Sequence, residues 1–433
     1  MKNFEQLCKS QSFCLIPFMH AATLTDGETP LCCVAEGGSG VNLNQKTLAD
    51  YWNSPYLKKV RKKMMEGQPI KECRRCYEEE KNGYRSHRVI EHGAWKDKVG
   101  SEYLSKLIAK MDPEGAMPEG ILSVDLRLGN TCNLQCVMCQ PRDSSKWKGL
   151  ASQILQDLRD RALVSEWKYK NNIKVENFEW YRNESFWQDL KSFLPTLREL
   201  IIGGGEPMLI KEHLEFIKYC VESGEASHIH LRYHTNFTVF PEEMIPYWEQ
   251  FERVEFFASV DGMGEVANYV RYPSVWSTVE KNLEKVDALG ENIWLRLLIS
   301  VHALNIHHLP DFLHWIKSKN FKKEQMFQQN QGKRALQFFA NPGLVHWPQY
   351  LNPKVLPDSY KRVVTDKWEQ AKSEFSGEDF DKYDGIHQFM NSEDWSERLP
   401  QMKQYLKALD KRRKTDHYRV LPSLSEAMAG IKD

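Results

Sequence analysis

No charge of one sign dominates this 433-residue chain: Lys+Arg and Asp+Glu stand at 59 each. A balanced chain carries no global field toward nucleic acid or an anionic membrane surface. No apolar run approaches the roughly 20 residues that span a bilayer. Internal repeats and low-complexity tracts are absent too, and the first residues do not read as a secretory signal. Most of the ten cysteines cluster at metal-ligand spacings rather than spreading out as disulfide partners. These absences lead to the expectation of a cytoplasmic protein with reduced thiols and neither a nucleic-acid nor a membrane partner. Oligomeric state stays open. The length allows two or three domains around a large core.

What is present is thiol chemistry. Cys132, Cys136 and Cys139 lie in LSVDLRLGNTCNLQCVMCQP at the spacing C-x3-C-x2-C. Soft thiolates select iron–sulfur clusters or zinc, and three ligands leave a coordination position open for catalysis. The alternating run Ile121–Leu128 reads as a strand entering the loop, and Gly129, Asn130 and Thr131 suit the turn. Leu150, Ile154, Leu155 and Leu158 recur at helical spacing afterwards. Buried core thiols and a zinc site are the plain alternatives.

This strand, cysteine loop and helix resemble the signature of the radical S-adenosylmethionine (SAM) enzymes, and further motifs follow in the expected order. Ile201–Gly205 runs as an apolar strand into the GGEP of Gly204, Gly205, Glu206 and Pro207. Backbone approach to a ligand asks for glycine, and Glu206 supplies charge or a structural hydrogen bond. His230–Asn236 reads as the next strand, ending in Thr-Asn; Phe237 stands where the family has glycine. Val254–Gly262 ends in S-x-D-G, and Arg271 follows downstream. The resemblance implies a [4Fe-4S] cluster on Cys132, Cys136 and Cys139. It also implies SAM contacts at Met138, Gly204, Gly205, Glu206, Pro207, Asn236, Ser259 and Arg271. A surface salt bridge is the alternative for Arg271. Trp294–Val301 reads as strand five and Leu336–Ala340 as strand six. Val279, Leu283, Val286 and Leu289 mark an amphipathic helix between strands.

Strands alternating with helices argue for parallel βαβ units. The expected fold is α/β: a partial (β/α)6 TIM-like barrel over 116–350, preceded by a cysteine-rich hairpin-plus-helix domain over 1–115. A helical C-terminal extension covers 351–433. In the first part, Cys14-x12-Gly27-x4-Cys32 and Cys73-x2-Cys76 resemble the SPASM and twitch auxiliary-cluster domains. This implies an auxiliary [4Fe-4S] cluster on Cys14, Cys32, Cys73 and Cys76; zinc on the same thiolates is the alternative. Cys32 is favoured over the adjacent Cys33 by the family spacing alone. Asp26-Gly27 suggests a hairpin turn, and Ser54-Pro55 an N-cap and first helical position. SPASM domains usually follow the barrel, whereas this one precedes it. Cys8 and Cys220 read as ordinary thiols.

Other segments read more plainly. Trp167, Tyr169, Phe178, Trp180, Tyr181, Phe186 and Trp187 suit core packing better than a substrate wall. The loops His346-Trp347-Pro348 and Leu351-Asn352-Pro353 are candidate substrate contacts. Asp410–Lys414 reads as a solvated helix end. No catalytic base can be named.

The implied activity is reductive cleavage of SAM to a 5′-deoxyadenosyl radical that takes a hydrogen atom from a small molecule, for oxidation or rearrangement in biosynthesis. An external reductant such as flavodoxin or ferredoxin would supply the electron. Maturation of a ribosomally made peptide is the second reading. A non-catalytic metal-binding protein with a zinc-stabilised N-terminal domain is the third.

Overall fold

The computed structural model describes residues 3–118, 120–171, 177–331, 334–375 and 377–430. Among the described residues, seven strands make one sheet in the order β1-β2-β3-β4-β5-β6-β7. They are β1 His20–Ala22, β2 Ser123–Leu128, β3 Glu199–Gly204, β4 His230–Thr235, β5 Arg253–Ser259, β6 Ile293–Val301 and β7 Ala340–Leu344. The pairs β1–β2, β2–β3, β5–β6 and β6–β7 are parallel. Helices such as Lys211–Glu222, Trp276–Asp287 and Leu309–Lys319 fall between successive strands. Strands β2–β7 supply the six expected βα units, and β6 shows the strict inward–outward alternation of a half-buried strand. No helix among the described residues is long and apolar enough to cross a membrane.

The chain forms two compact units: 1–130, 175–232 and 246–253 in the first; 131–174, 233–245 and 254–433 in the second. In the first, β1 comes from the cysteine-rich stretch and aligns His20 with Ser123 of β2. The Asp26-Gly27 turn closes through Leu24 and Glu28, with Gly27 at φ +82°. Its arms do not form the expected hairpin ladder. The first arm follows a strand committed to β2, and Glu28 makes an isolated antiparallel bridge to Asn42 instead. The helix Pro55–Met65 starts as expected: Ser54 Oγ accepts the Leu57 N–H at 3.3 Å, and Leu57, Val60 and Met64 are buried.

In the second unit, Leu336–Phe339 is helix, not strand. Ala335, Leu336 and Phe339 place three buried side chains on one helical face. The sixth core strand comes just after, as ANPGL. Pro342 cannot donate to a ladder, and it is accommodated because β7 lies at the end of the strand order. The C-terminal part is helical, with long helices over Asp358–Glu374 and Leu399–Arg413. Val364, Trp368 and Ala371 form the buried face of the first, and Leu406 and Leu409 belong to that of the second.

Candidate functional sites: two cysteine sets

The first unit holds the N-terminal cysteines. Cys14 and Cys76 are buried, Cys32 and Cys73 are half-buried, and Cys33 is exposed. Burial pushes the thiols of Cys32 and Cys73 up to about 12 and raises that of Cys14 well above its ordinary value. Cys14, Cys32, Cys73 and Cys76 share one electrostatic neighbourhood of soft donors: Cys14 feels the charge of Cys32 and Cys73, and Cys32 feels its neighbour Cys33 as well as Cys73 and Cys76. Cys33 also meets other groups: its Sγ is 3.7 Å from His87 Nε2, and its thiol, raised by burial, feels Asp125, Arg127 and Glu91. The Cys14 segment is held by His92, whose Nε2 accepts the Leu15 N–H at 3.2 Å. Arg88 donates to the carbonyls of Ser10 and Phe13 and pairs with Glu80.

Arg61 shows how this unit buries a guanidinium. It is fully buried yet donates to the carbonyls of Pro17, Trp52 and Gly115 and to Asn53 Oδ1, while stacking on Trp52 at 4.4 Å. Every nitrogen is engaged, so no carboxylate is needed.

GGEP belongs to this unit. Gly204 has φ +126°, and a Cβ there would lie 2.8 Å from Leu128 N and 3.0 Å from Gly129 O. Glycine is therefore required by the neighbouring strand end before any ligand is considered. Gly205 N–H donates to Gly129 O at 3.1 Å. Glu206 is buried, and its Oε1 accepts the Met208 N–H at 3.1 Å across the short turn Pro207–Leu209.

In the second unit, the loop of Cys132, Cys136 and Cys139 is fastened by its backbone. Gln135 N–H donates to Tyr272 O at 2.6 Å and Val137 N–H to Val270 O at 2.8 Å. Ser144 Oγ donates to Leu134 O at 2.6 Å, and Cys132 N–H donates to Ser145 Oγ at 3.2 Å. Burial raises the Cys136 thiol to about 11, opposed chiefly by Arg271; burial also raises Cys139 well above its ordinary value, and it feels both other cysteines. Arg271 is no surface residue. Its Nε pairs with Asp261 at 2.7 Å, with side-chain exposures of 12% and 0%, and its Nη1 lies 3.9 Å from Cys136 Sγ. Asp261 is the aspartate of S-x-D-G, and its Oδ1 also accepts the Ser300 N–H at 2.7 Å.

Asn236 latches this loop. Its Nδ2 donates to Asn133 Oδ1 at 3.0 Å, and its Oδ1 accepts from Thr238 N and Oγ1 at 2.9 and 2.6 Å. Phe237 has φ +58°, the conformation glycine adopts freely. Its ring is buried against Phe256 at 5.9 Å, and that packing offsets the strain. Ser259 ends β5 half-buried, and Met138 is half-buried beside the buried Val137. A cavity of about 510 Å³ opens beside the loop, lined by Asn133, Gln135, Lys146, Thr238 and Tyr272.

The C-terminal helix adds contacts that the charge run concealed. Tyr405 Oη donates to Val137 O at 2.6 Å. Arg413 is buried, not solvated; its Nη2 donates to Gln135 O, and Tyr272 Oη donates to Arg413 O at 3.2 Å. Asp410 is engaged as well, by Tyr269, Thr415 and His417. Periodicity within one helix carries no sign of these long-range bonds.

The aromatic group divides between the units. Trp180, Tyr181, Phe186 and Trp187 pack edge to face in the first; Trp167 stacks on Tyr405 at 5.6 Å in the second; Tyr169 is exposed. Asn352 is buried and caps Lys354, so its loop is structural. Cys220 is an ordinary buried thiol on the helix Lys211–Glu222.

Both cysteine sets fit iron–sulfur chemistry by donor type, burial and mutual charge. Buried neutral thiols release protons when a metal takes them. Among the described residues no three histidine, cysteine or carboxylate side chains enclose a single metal ion.

Residues 14–77 match the SPASM iron–sulfur cluster-binding domain. No curated protein matches the chain in sequence. Among solved structures, the chain is similar to anSMEcpe with bound AdoMet at 19% identity and a TM-score of 0.37, over 57% of this chain and 60% of that one. It is similar to Streptococcus suis SuiB bound to its precursor peptide SuiA at 11% identity and a TM-score of 0.35, over 69% and 65%. The chain thus spans about 60% of the length of anSMEcpe, and likenesses this loose carry no argument about substrate. Residues 14–77 of this chain are thus similar to the SPASM iron–sulfur cluster-binding domain, and the α/β core that follows carries three cysteines at the spacing C-x3-C-x2-C.

Proposed function

We propose that the protein is a radical SAM enzyme with one auxiliary cluster. The observation that carries this reading is the C-x3-C-x2-C loop itself, fastened on both sides and approached by Arg271 at 3.9 Å from Cys136 Sγ. Cys132, Cys136 and Cys139 would hold a [4Fe-4S] cluster with one iron open to SAM. When bound, cluster and SAM supply a 5′-deoxyadenosyl radical able to take a hydrogen atom from an unactivated carbon.

The chain's residues orient and shield. In the second unit Met138 and Ser259 would contact SAM; in the first, the backbone and short turn of Gly204, Gly205, Glu206 and Pro207 are candidate SAM contacts by resemblance. Asn236 acts through Asn133, holding the cysteine loop, and Arg271 places a positive charge at a ligand thiolate. Cys14, Cys32, Cys73 and Cys76 would hold the auxiliary cluster, with Cys33 outside the set. The group held there would supply one-electron chemistry, with an external reductant such as flavodoxin or ferredoxin as the partner of the protein.

Two substrate classes remain, a peptide and a small molecule undergoing oxidation or rearrangement. Both classes are to be tried as substrates. The test is 5′-deoxyadenosine formation from SAM by the anaerobic, dithionite-reduced protein. Formation that disappears in Cys132→Ala/Cys136→Ala/Cys139→Ala supports the enzyme. No formation from a protein with iron at both sites, with or without candidate substrates, leaves a metal-binding role.

A further inference from the structure

Three buried cations approach the Cys132–Cys139 loop, and two bring their own carboxylates. Arg271 pairs with Asp261 at 2.7 Å and Lys170 with Glu166 at 2.6 Å. Arg413 has no carboxylate partner among the described residues. Its Nε and Nη1 are buried without a hydrogen-bond acceptor, and only Nη2 donates, to Gln135 O in the cysteine loop. The guanidinium lies over the rings of Trp147 at 5.2 Å and Tyr272 at 5.3 Å. Its other charge-bearing neighbours are Tyr405, Tyr269 and Cys136.

A guanidinium stays protonated in proteins, and a buried charge needs a counter-charge or full hydrogen bonding. Arg61 meets that demand with four acceptors; Arg413 has one. The aromatic faces supply part of the stabilisation. The remaining requirement is an anion beside Gln135, flanked in sequence by Cys132 and Cys136. Thiolate-ligated iron–sulfur clusters are such anions, and each becomes more negative on reduction.

We propose that Arg413, on the C-terminal helix, is a positioning residue that is the counter-charge to the cluster held by Cys132, Cys136 and Cys139 and raises its reduction potential. This rests on the function proposed above. A nearby positive charge favours the more negative, reduced state, so removing it makes the cluster harder to reduce. Tyr405 grips the same loop through Val137 O without a charge, which makes it the control.

The test is a redox titration followed by electron paramagnetic resonance on the anaerobically reconstituted full chain. The signal read is the one that Cys132→Ala/Cys136→Ala/Cys139→Ala abolishes. Arg413→Gln is expected to shift its midpoint to more negative potential at unchanged iron content. Arg413→Lys and Tyr405→Phe are expected to stay near the parent. A parent-like midpoint in a fully loaded Arg413→Gln overturns the proposal. Arg413→Met serves as a second neutral variant. Loss of the cluster in both neutral variants but not in Arg413→Lys also supports the role of charge. Loss in all three overturns it in favour of a mechanical brace. If the unaltered protein shows no such signal, the function reading has failed, which is a separate result.

Discussion

Asp261→Asn removes one charge from the pair beside Cys136 and little else. Asn keeps an oxygen for the Ser300 N–H, now accepted at 2.7 Å, so the backbone tie between strand ends survives. What is lost is the compensation of Arg271, whose side chain is 12% exposed and whose partner is 0% exposed. Breaking a buried ion pair from one side costs about 3–5 kcal/mol, because the remaining charge stays in a dry site. For a unit of a few hundred residues, each kcal/mol lowers the thermal midpoint by about 2–4 °C. The expected fall is therefore roughly 6–20 °C, read by circular dichroism on the full chain. Arg271→Leu should cost a similar amount, and the double variant should recover at least half of the summed loss, since no lone charge remains. A midpoint for Asp261→Asn within a degree of the parent would refute the reasoning. It would mean that water reaches the pair and that Arg271 is an exposed ion-pair residue after all.

Other outcomes follow from single positions. Cys32→Ser is expected to lose the N-terminal metal while Cys33→Ser keeps it, measured as iron per chain; the reverse would exchange the two cysteines. Phe237→Ala should destabilise by about 3–5 kcal/mol through the lost ring, and Phe237→Gly by about 1 kcal/mol less, since φ +58° suits glycine. Urea unfolding that ranks alanine above glycine would contradict this. His92, His213 and His302 are buried with pKa values lowered to about 4 by desolvation. Unfolding lets each take a proton below about 6.5, so the unfolded state binds more protons between pH 6.5 and 4 and stability falls as pH drops through that window. A thermal midpoint that is flat from pH 7 to 4.5 would rule this out.

Much of the fold was legible because each of β2–β6 carries its own pattern. Val254–Val260 and Trp294–Val301 alternate, and the helices between them repeat at 3.6. β1 was hidden because three residues, His20-Ala21-Ala22, hold no periodicity, and its partner lies a hundred positions on. β7 was misplaced by a few residues because Leu336–Phe339 is as apolar as a strand, while the true strand contains Pro342 and Gly343. The candidate cysteine sets stand out by their spacing, and GGEP by its glycines. The side chains that hold the loop could not: Asn133 meets Asn236 across 103 positions and Tyr405 meets Val137 across 268. Arg413 sits in a run of cations whose usual meaning is solvation, and only its burial separates it from Lys411 and Lys414.

The most direct measurement is the iron and acid-labile sulfide content of the anaerobically reconstituted chain beside Cys132→Ala/Cys136→Ala/Cys139→Ala. Two separate thiolate sites predict about eight irons per chain, falling to about four in the variant. Equal iron in both proteins, or zinc in place of iron at the Cys132–Cys139 loop, would contradict the account.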